Sequence, residues 1–155
     1  MEGVFPGLQE ARSRTPRSIL FMCRMNAVRS PMAETIARSL LPGIYVASAG
    51  VRPGERDPFV DAVLDEVGLS LGRHAPHSLD ELEDDYFDLI VTLAPEAHHA
   101  ALELTRSMAV DVMYWPTPDP TVATGTREQI LSAYRDVREF LKTLIEQRLK
   151  APGQA

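Results

Sequence analysis

Residues 18–30 read Ser18-Ile19-Leu20-Phe21-Met22-Cys23-Arg24-Met25-Asn26-Ala27-Val28-Arg29-Ser30. The run SILFM over Ser18 to Met22 is short and wholly apolar, the pattern of a strand buried on both faces. From Ser30 the period changes, with Met32, Ile36, Ala37 and Leu40 recurring at helical spacing. Ser30 suits the cap of this helix and Pro31 its first position. Pro42 and Gly43 end it. Between strand and helix lies a loop that begins at a cysteine and ends, after five residues, at an arginine.

A loop of this length can turn its backbone N–H groups inward as an anion nest. The helix that follows adds its N-terminal dipole at the same place. Arg29 can fork two hydrogen bonds onto a phosphate oxygen pair. Cys23 would sit at the bottom of the cup, where amides, dipole and guanidinium favour thiolate over thiol. The Ser30 hydroxyl can hydrogen-bond the sulfur, and Asn26 suits a loop position with positive φ. The backbone from Arg24 through Met25, Asn26, Ala27 and Val28 to Arg29 is thus a candidate phosphate cradle. A lone cysteine at a strand end is commonly a structural residue. The Arg at this spacing, the preceding strand and the Ser-Pro helix start favour the cup.

Working outward, Ile44 to Ala47 reads as a second strand and Asp57 to Val67 as a helix closed by Gly68, with Val60, Val63, Leu64 and Val67 on one face. Ser78 to Tyr86 reads as a short acidic helix, Leu89 to Leu93 as a third strand, Pro95 to Arg106 as a helix and Val110 to Tyr114 as a fourth strand. A Pro- and Thr-rich loop from Pro116 to Gly125 precedes a long amphipathic helix over Thr126 to Leu149. Its inward side is expected to carry Ile130, Ala133, Val137, Phe140, Leu141, Leu144 and Ile145. Strands alternating with helices predict a single α/β domain over residues 18–150, a four-stranded parallel sheet with helices on both faces. Ligands of such sheets bind beyond the carboxyl ends of the strands, where strand order reverses.

The chain of 155 residues fits one domain, and its composition, 45% hydrophobic and 25% charged, is that of a globular protein. Its net charge of −6 disfavours nucleic acid as a partner. A single cysteine permits no intrachain disulfide, and no apolar run approaches the ~20 residues that span a bilayer. Residues 1–17 are polar, broken by Pro6 and Pro16, and lack the apolar stretch of a secretion signal. They are expected to be a flexible lead-in, residues 151–155 a flexible tail, and the cytoplasm the location.

Cys23 to Glu34 (CRMNAVRSPMAE) resembles the active-site signature of the low-molecular-weight protein tyrosine phosphatases and the related thiol-linked arsenate reductases. The resemblance continues through Ser48-Ala49-Gly50, Gly68-Leu69 with His74 downstream, Phe87-Asp88-Leu89-Ile90 and Asp119-Pro120, covering roughly Ser18 to Leu149. It implies Cys23 as nucleophile, Arg29 as binder of the transferring group, Ser30 as support for the thiolate and Asp119 as general acid. It implies that Asn26, Ser48 and His74 brace the loop. Taken alone, Ser48 and His74 are ordinary loop residues, and Asp before Pro is commonly a turn former.

The departures bear on substrate. Met25 stands where the family usually has Gly, and Val28 where the phosphatases often have a second Cys that protects the first. The places of the aromatic walls of phosphotyrosine-directed members hold Val51 to Gly54 and Thr121-Val122. Val91-Thr92-Leu93-Ala94 and the stretch from Asp119 into Tyr134-Arg135-Asp136-Val137-Arg138 look closer to the reductases. Ala94 occupies the place of a resolving Cys, which leaves only a reductase that uses an external low-molecular-weight thiol.

Other features read as structural. Adjacent His98 and His99 point to different sides of a helix and suit the surface better than a metal. The acidic stretch Asp80 to Asp88 lacks the ligand order of a Ca²⁺ loop; it reads as a solvated face, with docking of basic partners as the alternative. Trp115 suits either the pocket edge or the core. No dinucleotide fingerprint or Gly-Lys-Ser/Thr loop is present, and the expected chemistry needs neither metal nor cofactor. Three functions follow: hydrolysis of a phosphorylated protein or small aryl phosphate through a phosphocysteine, arsenate reduction with an external thiol, or non-catalytic binding of an oxyanion or phosphopeptide. The first is favoured, since Asp119 serves to protonate an ester oxygen.

Overall fold

A computed structural model describes residues 16–83 and 86–150. The proposed tail, and all of the proposed lead-in except Pro16 and Arg17, fall outside these residues. The four strands are β1 (Ser18–Cys23), β2 (Tyr45–Gly50), β3 (Leu89–Thr92) and β4 (Asp111–Tyr114). The helices are α1 (Arg29–Leu40), α2 (Pro58–Asp65), α3 (Pro95–Leu104) and α4 (Arg127–Arg148). All strand pairs are parallel, in the order β2-β1-β3-β4. The α/β fold is therefore the expected one.

Strand alternation sorts β1 between two cores. Ile19, Phe21 and Cys23 face a cluster built with Met32, Ile36, Val60, Leu64, Val137 and Leu141 from α1, α2 and α4. Leu20 and Met22 face the opposite cluster, which holds Ala97 and Ala101 of α3. Because β1 is flanked by β2 and β3, the chain leaves it in one direction through α1 and later returns on its other side. This reversal opens a crevice at the carboxyl end of β1, and Cys23 is its last residue.

Several boundaries move for physical reasons. The second strand runs on through Ser48, Ala49 and Gly50, small residues with weak strand propensity, because pairing with β1 carries it to the register Cys23↔Gly50. Helix α2 stops at Asp65, and Val67, expected inward, is 48% exposed. Of the expected acidic helix over Ser78 to Tyr86, one 3₁₀ turn at Leu79–Glu81 forms, held by the Ser78 N–H donating to the Glu81 carboxylate at 2.7 Å; residues 84 and 85 fall outside the described set. In α4 the buried face carries the expected Val137, Leu141 and Ile145, joined by Leu131 and Tyr134, while Phe140, expected inward, is exposed. A capping box from Thr126 and Gln129 starts this helix.

Gly50 shows how tightly the sheet edge and the loop after β1 fit. A Cβ there would lie 2.7 Å from both the Asn26 nitrogen and the Arg52 oxygen, and 2.8 Å from the Met25 carbonyl carbon. All three are backbone atoms and cannot rotate away. Gly50→Ala is therefore expected to destabilise the protein by about 1–3 kcal/mol, as overpacking against fixed backbone does. Urea unfolding measures it, and a change below about 0.5 kcal/mol would mean that the loop can yield.

Candidate active site

The loop from Cys23 to Arg29 turns its carbonyls away from its centre, and neighbours take them up. The N–H of Val51 donates to the oxygens of Cys23 (3.2 Å) and Arg24 (2.9 Å), Arg52 N–H to Arg24 (3.1 Å) and Gly54 N–H to Met25 (2.8 Å). His74 Nε2 lies 3.3 Å from the Asn26 oxygen. In a trans peptide unit the N–H points opposite to the C=O. The amides of Arg24, Met25, Asn26 and Ala27 are thus aimed back into the loop, as an anion nest requires.

Asn26 is the pivot. It is fully buried with φ +55, the left-handed region that Asn tolerates better than most residues. Its side-chain oxygen accepts the backbone N–H of His77 at 3.0 Å. That donor fixes which end of the amide is oxygen. Its NH₂ group then donates to Ser30 Oγ and Ser48 Oγ, both at 2.9 Å. Ser30 Oγ lies 2.9 Å from Cys23 Sγ and only a longer 3.4 Å from the Ala49 oxygen. With Ser30 accepting from Asn26, its own proton is free to point at the sulfur.

Ser48 passes its proton the other way, to Glu34 Oε1 at 2.5 Å. Glu34 is 8% exposed and its second oxygen pairs with Arg38 at 2.5 Å. His77 Nε2 also lies 2.6 Å from the Ser48 oxygen. Burial holds the His74 imidazole below its ordinary pKa, so its ring favours the neutral form that donates to Asn26.

The structure thus brings Cys23, Asn26, Ser30, Ser48 and His74 into one cluster. Contrary to expectation, Ser30 does not cap α1: its hydroxyl is turned to the sulfur, and Val28 occupies the cap and packs into the core. Glu34 and His77 complete the network unannounced. Glu34 ends the quoted signature and recurs on α1 four residues after Ser30, a spacing that places both on one helix face. Nothing local in the sequence marks His77.

Arg29 stands at the start of α1, and its Nη1 donates to the Thr117 oxygen at 3.1 Å. This anchors the loop after β4, on which Asp119 follows two residues later. Asp119 is half-buried, and its Oδ1 accepts from the N–H (3.0 Å) and hydroxyl (2.7 Å) of Thr121, which fixes the carboxylate's orientation. Tyr134 donates to Asp57 at 2.6 Å, and burial foremost, then the Asp57 carboxylate, raises its pKa well above the ordinary phenol value, with Asp119 adding to the effect. Asp119 therefore lies within electrostatic reach of the α2–α4 junction.

The remaining candidates fall into place structurally. Trp115 is buried against Phe21, with ring centroids 6.2 Å apart, so it anchors the loop in the core. His98 stacks on Tyr114 at 4.5 Å while its Nδ1 lies 3.0 Å from Thr92 Oγ1, and His99 is exposed. Among the described residues no helix is long and apolar enough to cross a membrane.

Known proteins resemble this chain in sequence and fold. The glutaredoxin arsenate reductase of Synechocystis sp. is 27% identical over 132 residues, which cover 84% of this chain and 94% of that protein. The low molecular weight protein-tyrosine-phosphatase Etp of Escherichia coli K12 is 41% identical over 88 residues, covering 54% of this chain and 57% of its own. The crystal structure of the Erwinia amylovora tyrosine phosphatase amsI superposes with a TM-score of 0.70 at 25% identity, over 86% of this chain and 91% of that one. Residues 18–151 match the sequence pattern described as low molecular weight phosphotyrosine protein phosphatase, and the chain belongs to that family.

Proposed function

We propose that the protein hydrolyses phosphomonoesters through a phosphocysteine formed on Cys23. The observation that carries this reading is the directed chain Asn26 to Ser30 to Cys23, which offers the sulfur a hydrogen-bond donor beneath a ring of inward amides. In the first step the Cys23 sulfur forms a bond to phosphorus as the ester P–O bond breaks. The amides and Arg29 hold the three equatorial oxygens, where charge spreads in the transition state. Asp119 gives its proton to the departing oxygen. In the second step the Asp119 carboxylate takes a proton from water, the water oxygen bonds phosphorus, and the P–S bond breaks to release phosphate and the thiolate.

Arsenate reduction with an external thiol is the second reading, supported by the likeness to the Synechocystis reductase over nearly its full length. Arsenate has the shape and charge of phosphate and fits the same cup. Its two-electron reduction to arsenite would join Cys23 to the external thiol as a mixed disulfide. Cys23 is the sole cysteine of the sequence, so a second sulfur must come from outside. The hydrolase reading is preferred because every step uses a group of this chain or water.

Four outcomes test the hydrolase. Phosphate, arsenate or vanadate should slow the alkylation of Cys23 by iodoacetate at least tenfold; alkylation indifferent to these anions would remove the cup. Asn26→Ala gives up three side-chain hydrogen bonds and places Ala at positive φ, so kcat/KM should fall about 10²-fold or more, read as several kcal/mol of combined hydrogen-bond and backbone cost. A variant within threefold of the parent would mean the loop is braced elsewhere.

Asp119→Ala separates acid from base. Single-turnover cleavage of phenyl phosphate, whose leaving group needs a proton, should lose about 10²–10⁴-fold, and that of nitrophenyl phosphate much less. Equal losses on both substrates would reduce Asp119 to a turn residue. Cys23→Ser should abolish turnover of both while phosphate still binds.

A further inference from the structure

Elsewhere on the surface Arg38, Arg56, Arg106, Arg135 and Arg138 each meet a carboxylate. Arg24 and Arg52, at the cup, meet none: both are exposed, and neither guanidinium has a hydrogen-bond or ion-pair partner among the described residues. Arg24 directly follows Cys23. Arg52 lies in the segment after β2, and its backbone N–H donates to the Arg24 oxygen at 3.1 Å. The two side chains therefore leave adjacent, hydrogen-bonded backbones at the edge of the cup. An arginine side chain reaches about 6–7 Å from its Cα, so both guanidinium groups can approach a group attached next to a bound phosphoryl.

Resting on the hydrolase reading for its substrate, we propose that Arg24 and Arg52 form a basic rim that recognises a second anionic group beside the phosphoryl, and that the preferred substrate is a phosphorylated protein segment flanked by acidic residues. The chain as a whole is at −6 and repels such a segment at a distance. Two unpaired arginines at the mouth reverse that sign locally, within a Debye length of about 8 Å at physiological salt. The opposing charges nearby are few. Asp119 is turned onto Thr121, and Glu55 follows the point where Gly54 donates to Met25. The other places that could grip a ring hold no aromatic side chain: Val51 is 41% exposed and Val122 is 78% exposed. Affinity from a stacked ring is thus replaced by affinity from charge, and Arg rather than Lys suits carboxylates because its planar fork matches them.

The test uses two phosphotyrosine peptides, one flanked by Asp and Glu and the other by the isosteric Asn and Gln. They are titrated onto the full chain carrying Cys23→Ser, which binds without turnover. The acidic peptide should bind about tenfold or more tightly at 50 mM salt, and the gap should shrink in 0.5 M salt. Adding Arg52→Gln or Arg24→Gln should each shrink the gap about threefold, and Arg52→Glu should reverse the preference. Equal affinity for the two peptides, no binding of either, or a gap that survives both Gln substitutions overturns the proposal. Release of phosphate from nitrophenyl phosphate by the unsubstituted chain is measured alongside. Its absence would sink the hydrolase reading whatever the peptides do, and its presence with equal peptide affinities would sink the rim alone.

Discussion

The whole site depends on one buried amide. Asn26 sits at φ +55 with both ends of its side-chain amide engaged, oxygen to the His77 N–H and nitrogen to Ser30 and Ser48. Left-handed backbone costs a non-glycine residue about 1–2 kcal/mol, and each net hydrogen bond returns about 1 kcal/mol. The three bonds therefore exceed the strain, and they do so only if the loop is closed. That makes the curled loop a stable preformed cup rather than a shape acquired on binding. It also orders the protons: because His77 N–H can only donate, every later hydroxyl in the chain has one consistent role.

The sheet supplies the surface on which this amide can work. Ser48, Ala49 and Gly50 lie beside Phe21, Met22 and Cys23 in parallel register. Their smallness lets the loop backbone descend onto the strand end, while Ser48 keeps one hydroxyl in range of both Asn26 and Glu34. The charge on Glu34, nearly buried, is held by Arg38 one helical turn away, so α1 contributes to the cup from its side as well as its end. Met25 is accommodated by an absence: Gly54 presents no side chain where a Cβ would lie 3.0 Å from the Met25 Cβ.

These relations explain what was readable beforehand. The strand–loop–helix unit, the number of strands and the positions of Cys23, Asn26, Ser30 and Arg29 follow from local patterns: an apolar run, a change of period, a fixed spacing. The extension of β2 through SAG does not, because its cause is pairing with β1, a tertiary event that overrides weak propensity. The inward face of α4 is legible through Val137, Leu141 and Ile145, while Tyr134 joins it for a tertiary reason: Asp57, far away in sequence, supplies a partner for its hydroxyl. His77 is invisible for the same reason, since its contacts to Asn26 and Ser48 span 51 and 29 residues. The acidic segment after Ser78 shortens to one turn because its capping bond satisfies the first amide but little apolar surface follows to reward more helix.

Arg29 ties the loop after β1 to the loop that carries Asp119. Its Nη1 is engaged with the Thr117 oxygen, yet a guanidinium has five donors, and a bidentate grip on phosphate needs two. The same side chain can thus hold the transferring group on one edge and the loop of Asp119 on the other. Thr117 is itself pinned, its hydroxyl donating to the Trp115 oxygen and its N–H to Leu93. Asp119 is consequently placed by contacts that run from Arg29 through Thr117. The loop of Asp119 and the loop from Cys23 to Arg29 thereby share one anchor, and whatever orients the guanidinium orients the proposed proton donor with it.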